Sequence, residues 1–198
     1  MAMPRHRPLT LAEYLRLEAD ATIKHEFVAG ERYAMAGVTR RHARIVSNLV
    51  FRLRGAAQGG PCDVLATDVK LRAAPDVIYY PDLMVICKPG RDDDLIVSDP
   101  CLIVEVTSLS TAHIDRREKL AAYRRLPSLR AYLIVDQHRR HVEHHWRDSS
   151  GAWWSASVTG DERLSLPCPD VALTLDQIYE GVQLPAVEEI EGPAYHVG

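Results

Sequence analysis

The amino-acid sequence predicts an α/β fold, and three features of the chain support this prediction. An apolar run at 101–106 precedes a helical segment and a second apolar run at 131–135, which together form a strand, helix, strand unit. Apolar residues after Thr39 recur at helical spacing until Gly59 and Gly60 end the segment. Of the 198 residues, 46% are hydrophobic, so the chain can bury a core without disulfides or a structural metal.

The N-terminal part of the chain is expected to form a helix, a hairpin and a second helix. Thr10 and Glu13 have the spacing of a capping box, in which each side chain satisfies a backbone donor of the first helical turn. Gly30 supplies the backbone freedom that a tight turn needs, so two short strands should flank Ala29 and Gly30. The second helix is amphipathic, with arginines among its polar positions. We expect these elements at residues 10–19, 24–28, 31–36 and 39–58.

The remaining segments are rich in predicted strands. Pro81 interrupts one of these strands, which indicates an edge position or a bulge. Ser110 or Thr111 can cap the helix that follows the apolar run at 101–106. Thr174 and Gln177 have the capping-box spacing again, which predicts a short terminal helix. We expect strands at 64–71, 77–87, 101–106, 131–135, 141–147 and 152–158, with the long helix ending near 126.

The chain is expected to form one domain over residues 1–185, followed by a loosely held tail over 186–198 that is rich in Glu, Pro and Gly. No segment approaches the roughly 20 apolar residues that a bilayer span needs. The basic N-terminus also lacks the apolar segment of a signal peptide. We therefore expect a soluble cytoplasmic protein with no membrane partner.

Cysteine spacing and net charge limit the classes of function. No two cysteines have the close spacing of a zinc knuckle or a redox motif, so we expect buried, reduced thiols. The formal net charge of -3 gives no global attraction for nucleic acid, and nucleic-acid binding would need a local basic surface. The cysteines are Cys62, Cys87, Cys101 and Cys168, and the arginines that could form such a surface are Arg40, Arg41, Arg44, Arg116, Arg117, Arg124 and Arg125.

Two carboxylates on neighbouring predicted strands are the main indication of chemistry. Asp82 follows Pro81, and Glu105 lies inside the apolar run at 101–106. A buried acid without a partner costs several kcal/mol, and a hard cation is a natural partner for two of them. Magnesium is typically held by one or two carboxylates together with water and substrate phosphate. The pattern therefore favours metal-assisted phosphodiester chemistry.

A lysine on the next helix can complete such a site. Lys119 follows the strand of Glu105, and a lysine beside a metal-bound water can orient that water for attack. Two alternatives stay open from the residues alone. Pro-Asp pairs are common in turns, so Asp82 can be structural. Asp115 and Lys119 stand in the i,i+4 order of an ordinary helical salt bridge.

Several motifs together resemble a known family. They are Tyr79-Tyr80-Pro81-Asp82, then Val104-Glu105-Val106-Thr107-Ser108-Leu109-Ser110-Thr111, then Asp115-Arg116-Arg117-Glu118-Lys119, and Tyr123. Further likeness lies at His25 to Glu31, Arg41-His42, Pro127 to Arg130 and Leu175 to Tyr179. On these residues the chain resembles the Uma2 family, also called DUF820, of the restriction-endonuclease-like PD-(D/E)XK superfamily. The likeness covers nearly the whole chain.

This resemblance implies a restriction-endonuclease-like α/β fold with a mixed central sheet flanked by helices. It implies a DNA endonuclease that uses Mg²⁺, with Mn²⁺ as an alternative, and that often forms a homodimer. The family pattern places its metal-binding acids at Asp82 and Glu105 and its N-terminal acidic position at Glu26. The lysine that the superfamily carries two residues after the second acid is absent, because Thr107 stands there. In relatives of this type the lysine lies on the next helix, where Lys119 is found.

Other functions remain open at this point. The chain could be a non-catalytic member of the fold that binds nucleic acid or a protein, or it could hydrolyse a different phosphoester. Glu26 could reach the metal or pair with Lys24 or Arg32 on the surface. His42 could touch a phosphate at the helix N-terminus or act as a partly exposed capping residue, and Asp68 is an outer acidic candidate.

A histidine-rich strand offers a competing metal site. His141, Glu143 and His145 alternate along a predicted strand, and His144 lies between them. Such a set superficially indicates zinc. The polar face of an antiparallel strand gives the same pattern, and we favour that interpretation.

Overall fold

The computed structural model describes residues 7–66, 68–88, 90–107 and 112–185. The helices are α1 (Leu11–Ala19), α2 (Arg40–Ala57), α3 (Ala112–Ile114), α4 (Leu120–Tyr123) and α5 (Leu175–Ile178), and a π-helical turn (Asp115–Lys119) joins α3 to α4. The strands are β1 (His25–Val28), β2 (Glu31–Ala34), β3 (Asp63–Ala66), β4 (Lys70–Ala74), β5 (Val77–Tyr79), β6 (Leu83–Ile86), β7 (Ile96–Val97), β8 (Leu102–Thr107), β9 (Ala131–Asp136), β10 (Val142–Arg147), β11 (Trp153–Val158), β12 (Arg163–Pro167) and β13 (Asp170–Thr174).

A six-stranded sheet, called the main sheet below, forms the centre of the fold. Its strand order is β11-β10-β9-β8-β6-β3. The pair β8 and β9 is parallel and the other neighbours are antiparallel, so the sheet is mixed. Every residue of β8 and of β9 is buried, as expected for central strands covered on both faces. The predicted mixed central sheet is therefore confirmed.

A second sheet of five strands, in the order β2-β1-β5-β4-β7, lies beside the main sheet, and β12 pairs with β13 in a separate hairpin. Helix α2 packs on one face of the main sheet through Ile45, Leu49 and Leu53, together with α5 and the hairpin. The other face packs against β4, β5 and α4 through apolar and tyrosine side chains. Helix α1 closes the five-stranded sheet, where the rings of Tyr14 and Phe27 stack 4.8 Å apart.

Several elements match the sequence-based expectations. Helix α1 has the predicted capping box, since the Thr10 side chain accepts from Glu13 and the Glu13 carboxylate accepts from Thr10. The first hairpin turns at Ala29 and Gly30, which both have positive φ, as a two-residue hairpin turn requires. The hairpin of β10 and β11 and the capped helix α5 are also confirmed.

Two strand predictions were wrong. The expected strand at 64–71 is two strands, because the chain leaves the main sheet after β3 and enters the five-stranded sheet at β4, with a positive φ at Asp68 between them. The expected strand at 77–87 is likewise split between β5 and β6. Pro81 has no backbone N–H to donate, so it marks the crossing between two sheets and not an edge. Strands β12 and β13 had no sequence-based prediction.

The predicted cap at Ser110 or Thr111 and the predicted tail at 186–198 lie outside the described residues. None of the helices within the described ranges combines the length and the hydropathy of a membrane span.

Candidate active site

Three carboxylates converge on the ammonium group of Lys119. Its Nζ lies 2.9 Å from Glu26 Oε1, 3.1 Å from Glu105 Oε1 and 3.4 Å from Asp115 Oδ1. Glu105, Asp115 and Lys119 are all buried, with 5%, 3% and 7% of their surface exposed. A surface salt bridge between Asp115 and Lys119 is therefore excluded, because charged side chains at this depth need partners.

The members of this cluster come from three separate elements of the fold. Glu105 lies in β8 at the centre of the main sheet, and Glu26 lies in β1 of the five-stranded sheet. Asp115 and Lys119 begin and end the π-helical turn that follows β8. Single π-helical turns are rare and occur frequently at functional sites. Here the turn directs both side chains toward Glu105.

Asp82 is held beside this cluster by two contacts. The register of β6 and β8 pairs Leu83 with Val104, so one further step places Asp82 opposite Glu105. The Val106 backbone N–H donates to Asp82 Oδ2 over 2.7 Å. His42 Nε2 lies 3.0 Å from Asp82 Oδ1. Asp82 is therefore more than a local turn residue, because it also contacts β8 and α2.

His42 is buried, with 8% of its surface exposed, and it is not the capping residue of α2. Thr39 is the cap and accepts a hydrogen bond from the His42 backbone N–H. The Thr39 hydroxyl donates to Gln137 Oε1 over 2.6 Å, and the Gln137 amide donates to the Thr107 carbonyl over 3.2 Å. This chain of hydrogen bonds ties the start of α2 to the end of β8.

A second buried acid supports the segments that carry the site residues. Glu18 of α1 accepts from the His25 backbone N–H over 2.7 Å and from the Tyr80 hydroxyl over 3.1 Å. Arg32 lies 3.3 Å from its other oxygen. Glu18 thus fixes the first residue of β1, next to Glu26, and the residue that precedes Pro81. The contact of Arg32 with Glu18 also shows that Arg32 is not the partner of Glu26.

Burial and mutual repulsion shift the protonation equilibria of the cluster. Burial raises the pKa of Glu105 well above its usual value, although Lys119 opposes this shift. Burial likewise raises the pKa of Asp115. Burial also disfavours the charged form of Lys119, but Glu105, Glu26 and Asp115 overcome this effect and raise its pKa well above the usual value. The ammonium group is therefore firmly protonated.

Three tyrosines pack around the buried part of the cluster. The Tyr123 hydroxyl donates to Glu105 Oε1 over 2.8 Å, and burial raises the pKa of Tyr123 well above its usual value. The ring of Tyr123 packs edge-on against Tyr79 and Tyr132, with centroids 5.5 and 5.1 Å away. Lys119 Nζ lies 5.4 Å from the centroid of the Tyr79 ring. This packing restricts the rotamers of Glu105 and Lys119.

The donor set of the site fits a hard divalent cation. Glu26, Glu105 and Asp115 contact the single ammonium group of Lys119, and Asp82 lies beside them against His42, so acids outnumber bases in this largely buried place. Oε1 of Glu26 receives no hydrogen bond of good geometry from any residue in the described ranges, despite its short distance to Lys119. Carboxylate oxygens with unused lone pairs are the ligands that Mg²⁺ and Mn²⁺ prefer.

An open cleft of about 490 Å³ borders the site at Asp82 and His42. Asp82 and His42 line its floor, and Lys24, Val38 and Tyr80 form part of its walls. Lys24 and Lys70 lie 5.9 and 5.3 Å from the centroid of the Tyr80 ring, so positive charge flanks the cleft. Asp68 also lines the cleft, where it pairs with Lys24. Of the four acids of the site, Asp82 is therefore the one that lines this cleft.

The histidine-rich strand does not form a metal site within the described ranges. Glu143 pairs with Arg116, and His141 contacts Ser157. His144 and His145 are buried on opposite faces of β10, as alternation along a strand requires. These contacts are consistent with our interpretation that the histidines alternate along an ordinary antiparallel strand.

The predicted arginine surface is partly used within the molecule. Arg41 donates to the Gln183 carbonyl over 2.8 Å, and Arg44 donates to the Gly181 carbonyl. Arg116 pairs with Glu143. The exposed residues of the predicted set are Arg40, Arg44, Arg117 and Arg125.

Comparison with known proteins identifies the family. Residues 11–178 match the family model described as "Uma2: Putative restriction endonuclease". The chain belongs to the Uma2 family. Two uncharacterized proteins of Synechocystis sp. are similar to it: sll1609, with 34% identity over 81% of this chain and 93% of that protein, and slr1290, with 31% identity over 88% and 93%.

A solved structure shares the fold of this Uma2 chain. It is the crystal structure of "a putative nuclease belonging to DUF820" from Anabaena variabilis, with a TM-score of 0.75 and 14% identity, and the match covers 89% of this chain and 100% of that chain. The predicted restriction-endonuclease-like α/β fold is confirmed. The family description and the name of this structural neighbour are both those of nucleases.

Proposed function

We propose that this Uma2 protein is a metal-dependent endonuclease that hydrolyses phosphodiester bonds in DNA. One observation carries the proposal: three carboxylates meet one buried lysine beside β8, and a fourth acid next to them, Asp82, lines an open cleft. Structural ion pairs usually balance acids against bases, whereas here the acids are in excess. Perturbed carboxyl and amine groups beside a cleft are characteristic of catalytic sites.

In the proposed site Asp82 and Glu105 hold the metal, with Mg²⁺ as the expected ion and Mn²⁺ as a substitute. The bound ion would supply Lewis-acid stabilisation of the phosphorane-like transition state and a water of lowered pKa. Glu26 supports the metal shell through its oxygen that lacks a good hydrogen bond. The Val106 N–H and His42 fix the two oxygens of Asp82, so its unused lone pairs have a defined direction.

Lys119 is the residue proposed to orient the attacking water. Its ammonium group has three N–H donors, and the raised pKa keeps all three in place at neutral pH. One donor directed at the water would hold its oxygen in line with the scissile bond. The remaining donors would keep the contacts with the carboxylates, and Tyr123 would hold Glu105 in its rotamer. Asp115 would fix Lys119 through their ion pair.

DNA is the proposed substrate because the family is described as one of restriction endonucleases. The lysines beside the cleft and the exposed arginines could neutralise backbone phosphates locally. The homodimer and the cytoplasmic location that we expected from the sequence remain predictions.

The test is a cleavage assay with purified protein on supercoiled plasmid and on linear single- and double-stranded DNA, with Mg²⁺ or Mn²⁺. We expect nicking or cutting that Asp82→Asn and Glu105→Gln each reduce at least about a hundredfold, because removing a charge-stabilising group typically costs this much. Glu118→Gln is the matched control, since Glu118 is an exposed acid in the same π-helical turn.

The outcome that would contradict the proposal is cleavage that survives both substitutions. A protein that binds neither Mg²⁺ nor Mn²⁺ at millimolar concentration in calorimetry would support the alternative of a non-catalytic nucleic-acid- or protein-binding member of the fold. Cleavage of a different phosphoester in a substrate panel, without cleavage of DNA, would keep the metal site and replace the substrate.

A further inference from the structure

The four cysteines, which are far apart in the sequence, meet at one place in the fold. Cys62 lies directly before β3, Cys87 directly after β6, Cys101 directly before β8 and Cys168 in the turn between β12 and β13. Strands β3, β6 and β8 are neighbours in the main sheet. The register of β3 and β6 places Cys62 opposite Cys87, and the Cys101 backbone N–H donates to the Val85 carbonyl of β6. We expected buried, reduced thiols, whereas the structure leaves none of the four cysteines free of a sulfur partner.

The sulfur atoms form one cluster in which each sulfur has close neighbours. Cys62 and Cys87 are in bonding contact, as are Cys101 and Cys168. The Cys87 sulfur also lies 3.3 Å from the sulfurs of Cys101 and Cys168. The sulfurs of Cys62, Cys87 and Cys168 all lie within 4.8 Å of one another. Cys87 therefore touches all three other cysteines, which exceeds the single partner that a disulfide requires.

We propose that these cysteines hold one structural zinc ion as a four-thiolate site. A tetrahedral zinc ion has Zn–S bonds of about 2.3 Å, which sets the distance between its sulfur ligands at about 3.8 Å. The Cys87 sulfur lies 3.3 Å from the sulfurs of Cys101 and Cys168, which is somewhat less than this distance, and the two pairs in bonding contact are closer still. An outward movement of the sulfurs, largest for the two pairs in bonding contact, would admit the ion. Each thiol releases its proton to solvent when its sulfur binds the metal.

The surroundings of the cluster suit such a site. Cys168 belongs to the apolar core that α2 forms with the main sheet, and the other three cysteines pack against that core. Arg130 and Lys88 line the same surface cleft as Cys87, Cys101 and Cys168, and Lys88 pairs there with Asp99 over 3.4 Å. A zinc ion with four thiolates carries a net charge of about −2, so nearby cations stabilise it. In a reducing compartment, converging cysteines are more often metal ligands than disulfides.

Zinc is the expected ion because soft thiolates in a tetrahedral arrangement select zinc or iron over magnesium. The cysteine cluster is separate from the carboxylate site, so the zinc proposal does not depend on nuclease activity. Within the described ranges it is also the one group of three or more His, Cys, Asp or Glu ligand atoms that lie within 4.8 Å of one another.

The test measures metal in the full chain, purified under reducing conditions without chelators or metal-affinity resin. We expect one zinc per chain by plasma mass spectrometry, and tetrahedral cobalt-thiolate absorption bands after replacement of zinc by Co²⁺. Iodoacetamide should label the four cysteines only after the protein is denatured in the presence of a chelator.

Variants separate the ligands from the neighbouring residues. Cys62→Ser and Cys168→Ser should each lose the bound zinc, whereas Ser128→Ala should retain it, because Ser128 lines the same cleft without contributing a sulfur. If a cysteine variant fails to fold, iodoacetamide labelling of the wild-type chain with and without a chelator still tests whether the cysteines bind zinc.

Three results would overturn the proposal. In the first, all four thiols are labelled in the folded protein and no metal is bound. In the second, the cysteines stay unlabelled until a strong reductant is added, which identifies them as disulfides. In the third, the protein contains stoichiometric iron in place of zinc.

Discussion

The strand pair of β6 and β8 carries opposite kinds of chemistry at its two ends. At one end Asp82 and Glu105 bring oxygen ligands together, and at the other end Cys87 and Cys101 bring sulfur ligands together. Glu105 and Cys101 are separated by about 13 Å, since a strand rises about 3.3 Å per residue. Hard cations prefer oxygen and zinc accepts sulfur. One antiparallel register therefore assembles two sites of different selectivity.

The two ends also differ in how much freedom their ligands have. The sulfur end is formed by residues that directly flank strands, and the sulfurs are already in contact with one another. The oxygen end opens to a cleft, and its acids are held apart by Lys119. A closed ligand set is typical of structural metals, whereas catalytic metals keep an open position. We therefore expect a structural metal at the sulfur end and a catalytic metal at the oxygen end.

The largest expected effect at the oxygen end comes from Lys119→Met. Removal of the ammonium group leaves Glu26, Glu105 and Asp115 buried without their shared partner, which should cost about 3–5 kcal/mol of unfolding free energy. Urea denaturation would measure this loss.

Magnesium makes the Lys119→Met experiment specific for the oxygen end. Because Mg²⁺ would neutralise the carboxylates that have lost their lysine partner, it should raise the melting temperature of the variant more than that of the wild type. Arg117→Met, at an exposed position of the same turn, is the control. Equal stability of Lys119→Met and the wild type without metal would contradict the buried cluster.

Removal of zinc from the sulfur end should have the next largest effect. At free zinc one hundred times its Kd, binding stabilises the folded state by about 2.7 kcal/mol. Chelation should therefore lower the melting temperature by roughly 5–10 °C in a chain of this size. Differential scanning calorimetry with and without chelator measures the shift. Added Mg²⁺ should not restore the melting temperature of the chelated protein. A full recovery with Mg²⁺ would mean that the two ends do not differ in metal selectivity.

A pH-dependent loss of stability should arise away from both ends, at His144. Burial, followed by the charge of His145, lowers the pKa of His144 to about 4, from a usual value near 6.5. The unfolded chain therefore binds a proton below pH 6.5 that the folded chain excludes until about pH 4. Between these values the unfolding free energy should fall by up to about 3 kcal/mol as the pH decreases.

His144→Gln tests this assignment by urea denaturation at several pH values from 7 to 4. The variant should lose less stability over this range than the wild type, whereas His141→Gln, a more exposed substitution beside the same strand, should follow the wild type. A His144→Gln curve parallel to that of the wild type would assign the pH dependence to other groups.

The smallest expected effect concerns the link between α2 and β8. Thr39→Val removes the helix cap and the hydroxyl that donates to Gln137, and it should cost about 1 kcal/mol. Because α2 carries His42 to Asp82, DNA cleavage should fall while the zinc content stays unchanged. Thr39→Ser keeps the hydroxyl and should restore both stability and activity. Loss of zinc in Thr39→Val would show that the sulfur end depends on this link.

Much of the fold could be predicted because local signals agree with it. The capping boxes at Thr10 and Thr174, the turn at Gly30 and the helical spacing after Thr39 each depend on residues close in sequence. The split at Pro81 could not be predicted, because a proline can mark an edge, a bulge or a crossing between sheets. The crossing becomes evident only from the strands that pair with β5 and β6, because β5 pairs within the five-stranded sheet and β6 within the main sheet.

The candidate site was predicted in part for the same reason. Glu105 is an acid in an apolar run, Asp82 follows Pro81 and Lys119 lies on the next helix, all of which the sequence indicates, and the family pattern added Glu26. Asp115 was interpreted as a possible surface partner because i,i+4 spacing does not reveal a π-helical turn or its burial. The four cysteines gave no signal at all, since their proximity depends on strand register.

Strand register also determines which insertions and deletions the chain can tolerate. Cys87 follows Asp82 by five positions and Glu105 follows Cys101 by four, and every residue between the members of each pair lies in a paired strand. A one-residue change inside either strand would reverse the faces of its side chains and misplace ligands at one end. Residues 88–100 connect the strands outside these intervals, so this segment can change in length while both spacings persist.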